Sequence, residues 1–150
     1  MQVRIHKEGE GRALDIFGNP MLEKAGSADL GGSAAVFVST IAPRSGPPLH
    51  VHHEADEFFY VLEGAIDAWV GDAHVVLTPG MSATLPRGVP HRFDNCADAP
   101  ARVLCVVTPG SAAGFFDDVD QARPKLPQDG DVVASIVARH AIELVANPPA

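Results

Sequence analysis

Five of the seven histidines lie between positions 50 and 91, and three fall within four positions, His50-Val51-His52-His53. A strand repeats every two residues, so His50 and His52 project from the same side. Two imidazoles on one strand face, with a carboxylate nearby and a more distant His91, make a natural metal set. Imidazole and carboxylate ligands suit a borderline divalent ion such as Fe, Mn, Ni, Cu or Zn. The carboxylate is ambiguous from parity. Glu54 stands four residues after His50 and shares its face on a continuous strand. Glu57 stands seven after it and joins the set only if residues 53 to 56 bend or bulge and reset the register.

The elements that must position these groups read as short strands. Leu14-Asp15-Ile16-Phe17 is strand-like and Gly18-Asn19-Pro20 is a turn. Gly31-Gly32 breaks the chain before a strand at Ala34 to Ile41, and Pro43 to Pro48 is a connector. In Glu57 to Glu63, Glu57, Phe59 and Val61 share one face while Phe58, Tyr60 and Leu62 share the other. A strand apolar on both parities predicts burial on both sides. Ile66 to Val70, Gly71-Asp72 and His74 to Leu77 read as a hairpin. Met81, Ala83 and Leu85 alternate with Ser82 and Thr84, and Ala101 to Thr108 is the last strong strand. Strands this short and regular predict an all-β sandwich or barrel. Phe115 to Asp118 reads as the start of a short helix. Residues 131 to 146 place Val133, Ile136, Val137, His140 and Leu144 at helical spacing, with Asp129 or Asp131 as cap and Asn147-Pro148 as stop.

Residues 50 to 64 resemble the first cupin motif, HxH, four residues, Glu, six residues, Gly, through His50, His52, Glu57 and Gly64. Residues 80 to 95 resemble the second, through Gly80, Pro86, Gly88, His91 and Asn95. One departure is Gly46, which lies four residues before His50, two later than the family pattern places it. The resemblance implies a double-stranded β-helix, the jelly-roll barrel of cupins, with a C-terminal helix. It implies one domain over 1–150, with a motif core about 30–110 and a helical segment about 112–146. It assigns His50, His52, Glu57 and His91 as ligands of one divalent metal per chain, which Fe, Mn, Ni, Cu, Co or Zn would satisfy. Glu54 then falls in a connecting loop, and the Pro86-Arg87-Gly88 turn aims His91 into the barrel mouth.

Within the family, PPLHVHHEADEFFYVLEG and VVTPGSAAGFFDDV resemble small bacterial cupins likened to quercetin dioxygenase. This implies a dioxygenase-like enzyme for a small chelating enol or phenolic substrate, with Glu57 as the catalytic proton acceptor. A non-redox isomerase or lyase, or a non-catalytic small-molecule or metal-binding module, is the alternative. Phe59, Val61, Met81 and Phe93 are the residues expected to contact substrate or to form the core behind it. Tyr60 turns outward, His53 and His74 face solvent, and His140 is a core or interface residue. Arg87 either meets an anionic substrate or is solvated, and Cys96 is expected to be a buried, inert thiol near the rim.

The composition bounds the partners. A net charge of −8 disfavours nucleic acid and acidic membrane surfaces. Cys96 and Cys105, with no CxxC, read as free thiols rather than a disulfide framework. Residues 1 to 7 lack an apolar leader segment and no run approaches a membrane span, so a cytoplasmic location is expected. A homodimer is expected to cover the two-sided strands and the C-terminal helix.

Overall fold

The computed structural model describes residues 2–146. The described residues form eleven strands: β1 (Arg12–Ile16), β2 (Asn19–Ala25), β3 (Ala35–Ile41), β4 (His50–His52), β5 (Asp56–Glu63), β6 (Ile66–Val70), β7 (Ala73–Leu77), β8 (Ser82–Leu85), β9 (His91–Asp94), β10 (Ala101–Thr108) and β11 (Ile142–Leu144). Two helices, α1 (Gly114–Ala122) and α2 (Gly130–Arg139), stand between β10 and β11. One sheet is ordered β1-β2-β3-β10-β5-β8 and the other β11-β4-β9-β6-β7, with antiparallel pairing. The two sheets face each other as a jelly roll, the double-stranded β-helix. No helix in the described residues is long and apolar enough to cross a membrane.

Alternation places the core. In β10, Ala101, Val103, Cys105 and Val107 are buried, while Arg102, Leu104, Val106 and Thr108 are only partly covered. In β5, Glu57, Phe59 and Val61 point in. They meet Phe37 of β3, Ile66 and Ala68 of β6, Leu77 of β7 and Leu85 of β8 in one cluster. Phe116 of α1 closes one end of it, edge-on to Phe37 at 5.0 Å. The expectation that β5 is sandwiched on both sides fails within one chain: Tyr60 and Leu62 are each 37% exposed. The β5 register leaves them on the outer face of the sheet, with no layer of the described residues over them.

Turn chemistry fixes the connections. The β1–β2 hairpin turns on Phe17 and Gly18, both at positive φ, so Asn19 and Pro20 open β2 rather than forming the turn. Gly46 lies against β9, where a Cβ would overlap the Phe93 carbonyl and the Asp94 carboxylate. The adjacent Ser45 bridges Asn95. Asn95 is fully buried and donates to the Ile41 and Ala99 carbonyls while accepting from the Ala97 amide. Gly46 and Asn95 together lock the connector that leads into β4.

The C-terminal segment departs from its helical pattern. The helix ends at Arg139, Ala141 takes φ 53°, and residues 142–144 form β11. Of the expected stripe only Ile136 is buried inside α2, and Leu144 is half exposed. The cause is β4, which pairs with β9 on one side and would leave its other edge open. Ile142 and Leu144 lie opposite His52 and His50, and the flanking bonds His53 N–H to Ala141 O and Val145 N–H to Leu49 O complete the ladder. The expected stop at Asn147-Pro148 lies outside the described residues.

Candidate metal centre

His50 and His52 sit on one face of β4, and His91 opens β9 directly opposite His50. Glu57 arrives from the other sheet, near the start of β5. The chain crosses between sheets at residues 53–55, which belong to no strand. That crossing resets the parity. Glu54 and His53 are exposed, while Glu57 turns inward and is 7% exposed. His50, His52, Glu57 and His91 each offer one ligand atom, and these atoms lie within 4.8 Å of one another. Ligands about 2.1 Å from a common ion are at most ~4.2 Å apart, so a small inward adjustment completes a coordination sphere.

Backbone carbonyls choose the tautomers. His50 Nδ1 lies 2.8 Å from Pro48 O, and His91 Nδ1 lies 3.0 Å from Val89 O. A carbonyl only accepts, so each Nδ1 carries the proton and each Nε2 presents a lone pair. His91 Nε2 is buried without a hydrogen-bond partner, yet it faces Glu57 Oε2 at 3.3 Å. His52 Nε2 stands 3.6 Å from the same oxygen. An unpartnered buried nitrogen beside two further imidazoles and a carboxylate is the donor set that a divalent ion takes, and the residues therefore fit such a metal. His52 has the most exposed of the four side chains, at 12%, and marks the side open to solvent.

Electrostatics support the ligand states. Burial, reinforced by the neighbouring His91 and His52, pushes His50 down to about 4. Burial also lowers His52. For Glu57, burial acts upward, but His91, His52 and His50 outweigh it and hold the carboxyl below its ordinary value. Neutral imidazoles and an ionised carboxylate are the forms a metal requires.

The turn ahead of His91 is anchored on both sides. Gly88 N–H donates to the His52 carbonyl. The Arg87 guanidinium pairs with Asp56 at 2.7 Å, and the Arg87 backbone N–H donates to the same carboxylate. These bonds hold the Asp56 carboxyl down to about 2. Arg87, half exposed, ties the His91 turn to the residue beside Glu57. The local signal was the acid next to Glu57 and the Arg inside the PxG turn, but their meeting across the sheet is a tertiary fact.

Other expected residues fall in different places. Val61 is fully buried and Phe59 is 5% exposed, edge-on to Phe93 at 4.9 Å, so these three line the core behind the ligands. Met81 is 40% exposed. Its sulfur accepts from the Thr78 amide and hydroxyl, because the turn before β8 carries it outside. Cys96 is exposed rather than buried, and the Asp67 carboxylate raises its thiol pKa. Cys105 is buried, and its thiol is pushed well up by burial. His53 pairs with Glu143, and His74 stacks on Trp69 while bonding Asp67. His140 caps α2 and bonds Asp118 of α1 at 2.6 Å.

The model of the cupin domain, Cupin_2, matches residues 37–107, a span that contains all four converging residues. The chain belongs to the cupin superfamily. A tetracenomycin polyketide synthase protein, TcmJ of Streptomyces glaucescens, is 30% identical over 80 residues, which are 52% of this cupin and 54% of that protein. A cupin-superfamily sugar phosphate isomerase of Silicibacter pomeroyi shares 32% identity, with a TM-score of 0.53 over 62% of this chain and 60% of that one. The polyketide cyclase RemF of Streptomyces resistomycificus shares the fold at 23% identity, with a TM-score of 0.59 over 71% and 79% of the two chains. This cupin spans about half the length of some curated relatives it matches and about a fifth of others.

Two outcomes are expected. Arg87→Ala should keep the fold and weaken divalent-metal affinity by roughly tenfold or more, as loss of outer-shell support does elsewhere. Equilibrium dialysis against Zn or Ni checks this. The metal-free protein should also lose stability as pH falls. Between the ordinary 6.5 and about 4, unfolded His50 binds a proton that folded His50 does not. That difference amounts to at most ~3 kcal/mol at the acid end. Urea melts at pH 7 and pH 5 should show the fall, and His50→Asn should reduce it.

Proposed function

We propose that this cupin is a metal-dependent enzyme that takes a small chelating enol or phenol, with dioxygen as its co-substrate. The observation that carries the reading is the convergence of His50, His52, His91 and Glu57, with the Glu57 carboxyl held below its ordinary value. Four protein donors leave room on a five- or six-coordinate ion for a substrate oxygen. When bound, such an ion supplies Lewis acidity and, if redox-active, a route for electrons to dioxygen.

The chain's own residues supply the rest. His50 and His91 are held by backbone carbonyls, and all three histidines stand on the paired strands β4 and β9, so they orient what binds. Glu57 Oε2 is the proton acceptor in reach of that position, and it is ionised before a substrate hydroxyl arrives. Phe59, Val61 and Phe93 form the apolar wall that keeps water from the inner side.

A second reading, enol chemistry without dioxygen, is favoured by the names of two relatives. One is a polyketide synthase protein and one is a sugar phosphate isomerase. Both readings share a substrate that ionises at an enol or hydroxyl next to a second oxygen.

The protein loaded separately with Fe, Mn or Ni should turn over a flavonol or a phenolic 1,3-dicarbonyl, in an oxygen electrode, with about one O₂ consumed per substrate. Glu57→Gln should slow it by roughly 10²-fold or more. Equal turnover without oxygen would establish the second reading. Neither binding nor turnover of such substrates would contradict both.

A further inference from the structure

His50 and His52 stand on a three-residue strand that its neighbour β9 grips weakly. Against β9, β4 aligns at one position, His50 opposite His91. Against β11 it aligns along its whole length, with His52, Val51 and His50 opposite Ile142, Glu143 and Leu144. The bonds from His53 N–H to Ala141 O and from Val145 N–H to Leu49 O, both 2.9 Å, clamp the two ends. The strand that carries two of the four converging side chains is therefore placed mainly by the C-terminal strand.

β11 cannot place itself. Only Ile142 of its three residues is buried, and a pair of strands this short has little stability alone. The helix that leads into it, α2, buries only Ile136. By contrast α1 is fixed to the barrel. Its Phe116 enters the core, its Asp117 pairs with Arg12 at 2.6 Å, and its Asp120 accepts from the Asp15 N–H at 2.8 Å. Asp118 joins this fixed helix to the loose one. His140, the last residue before the turn into β11, donates from Nε2 to Asp118 Oδ2 at 2.6 Å. Arg139 reaches the same oxygen at 2.9 Å.

The two contacts differ in weight. The Asp118 and His140 side chains are 25% and 19% exposed, whereas Arg139 is 58% exposed, so water screens the Arg139 pair more. The His140 ring is also confined. Phe115 stands edge-on to it at 6.0 Å, and Gly114 lies so close that a Cβ there would come within 3.2 Å of His140 Cε1. The next residue, Ala141, takes φ 53°, so the direction in which β11 leaves the helix is set at this point. We propose that Asp118 and His140 are positioning residues for the metal centre: their bond latches β11 to α1, and β11 holds His50 and His52 in register with His91 and Glu57. Neither belongs to the converging set itself; both act through β11 and β4. The inference rests on the metal reading above.

Two measurements on the full-length protein test this: amide hydrogen exchange by NMR without metal, and titration with cobalt(II). The variants are Asp118→Ala and His140→Phe, the second of which keeps a ring against Phe115. Each should speed exchange of the His53 and Val145 amides by about tenfold or more, while the β10 amides exchange as in the wild type. Each should also weaken cobalt(II) affinity by roughly tenfold and alter the visible absorption spectrum of the bound ion. Arg139→Ala should move neither reading, and His140→Gln, which keeps an N–H donor, should restore both. Wild-type exchange at His53 and Val145 in both variants overturns the latch. Faster exchange with unchanged cobalt(II) affinity and spectrum overturns its effect on the ligands, leaving a merely structural contact. A wild type that binds no cobalt(II) contradicts the metal reading instead, and the exchange rates without metal still decide the latch.

Discussion

A histidine nitrogen and a carboxylate oxygen, both buried, face each other 3.3 Å apart, and no hydrogen bond satisfies the nitrogen. That arrangement is unfavourable unless a cation completes it. The carbonyls of Pro48 and Val89 enforce it by accepting hydrogen bonds from Nδ1 of His50 and His91, which turns each Nε2 inward. Much of the remaining structure serves to keep these four side chains from relaxing apart. Residues 53–55 carry the chain from one sheet to the other so that Glu57 meets histidines it could not meet on a continuous strand. The Arg87–Asp56 pair and the Gly88–His52 bond fix the turn from which His91 emerges. β11 fills the edge of β4 and so stiffens the strand that bears two of the ligands.

The apolar rows of the two sheets provide the rigid frame. Phe59, Val61 and Phe93 lie behind the ligands, and Leu77, Leu85 and Phe37 extend the same cluster. The polar lock at Asn95, three hydrogen bonds in a fully buried position, sits at the far end of the strand that begins with His91. It couples the connector before β4 to β9, and thereby the two histidine-bearing strands to each other.

Local pattern made the strands legible. Alternation in Ala101 to Thr108 and the turns at Gly71-Asp72 and Pro79-Gly80 needed no tertiary information. The converging set was legible only with the motif resemblance, because parity alone left Glu54 and Glu57 open. What escaped was decided by distant partners. Ile142-Glu143-Leu144 fits a helical stripe, and the empty edge of β4 makes it a strand. Met81 alternates correctly with Ala83 and Leu85, yet the preceding turn swings it to the surface. Cys96 follows the buried Asn95 but is exposed. Arg87 is half exposed, as a solvated residue would be, but its pairing with Asp56 needed the tertiary structure.

The central claim is that His50, His52, Glu57 and His91 hold one divalent ion, and metal stoichiometry tests it most directly. Elemental analysis would be run on untagged protein dialysed against Fe, Mn, Ni, Co, Cu or Zn, beside His91→Ala. The account predicts about one ion per wild-type chain for at least one of these metals, lost from the variant while its β-sheet spectrum persists. A wild type that takes up none of them, or a variant that keeps a full equivalent, would contradict it.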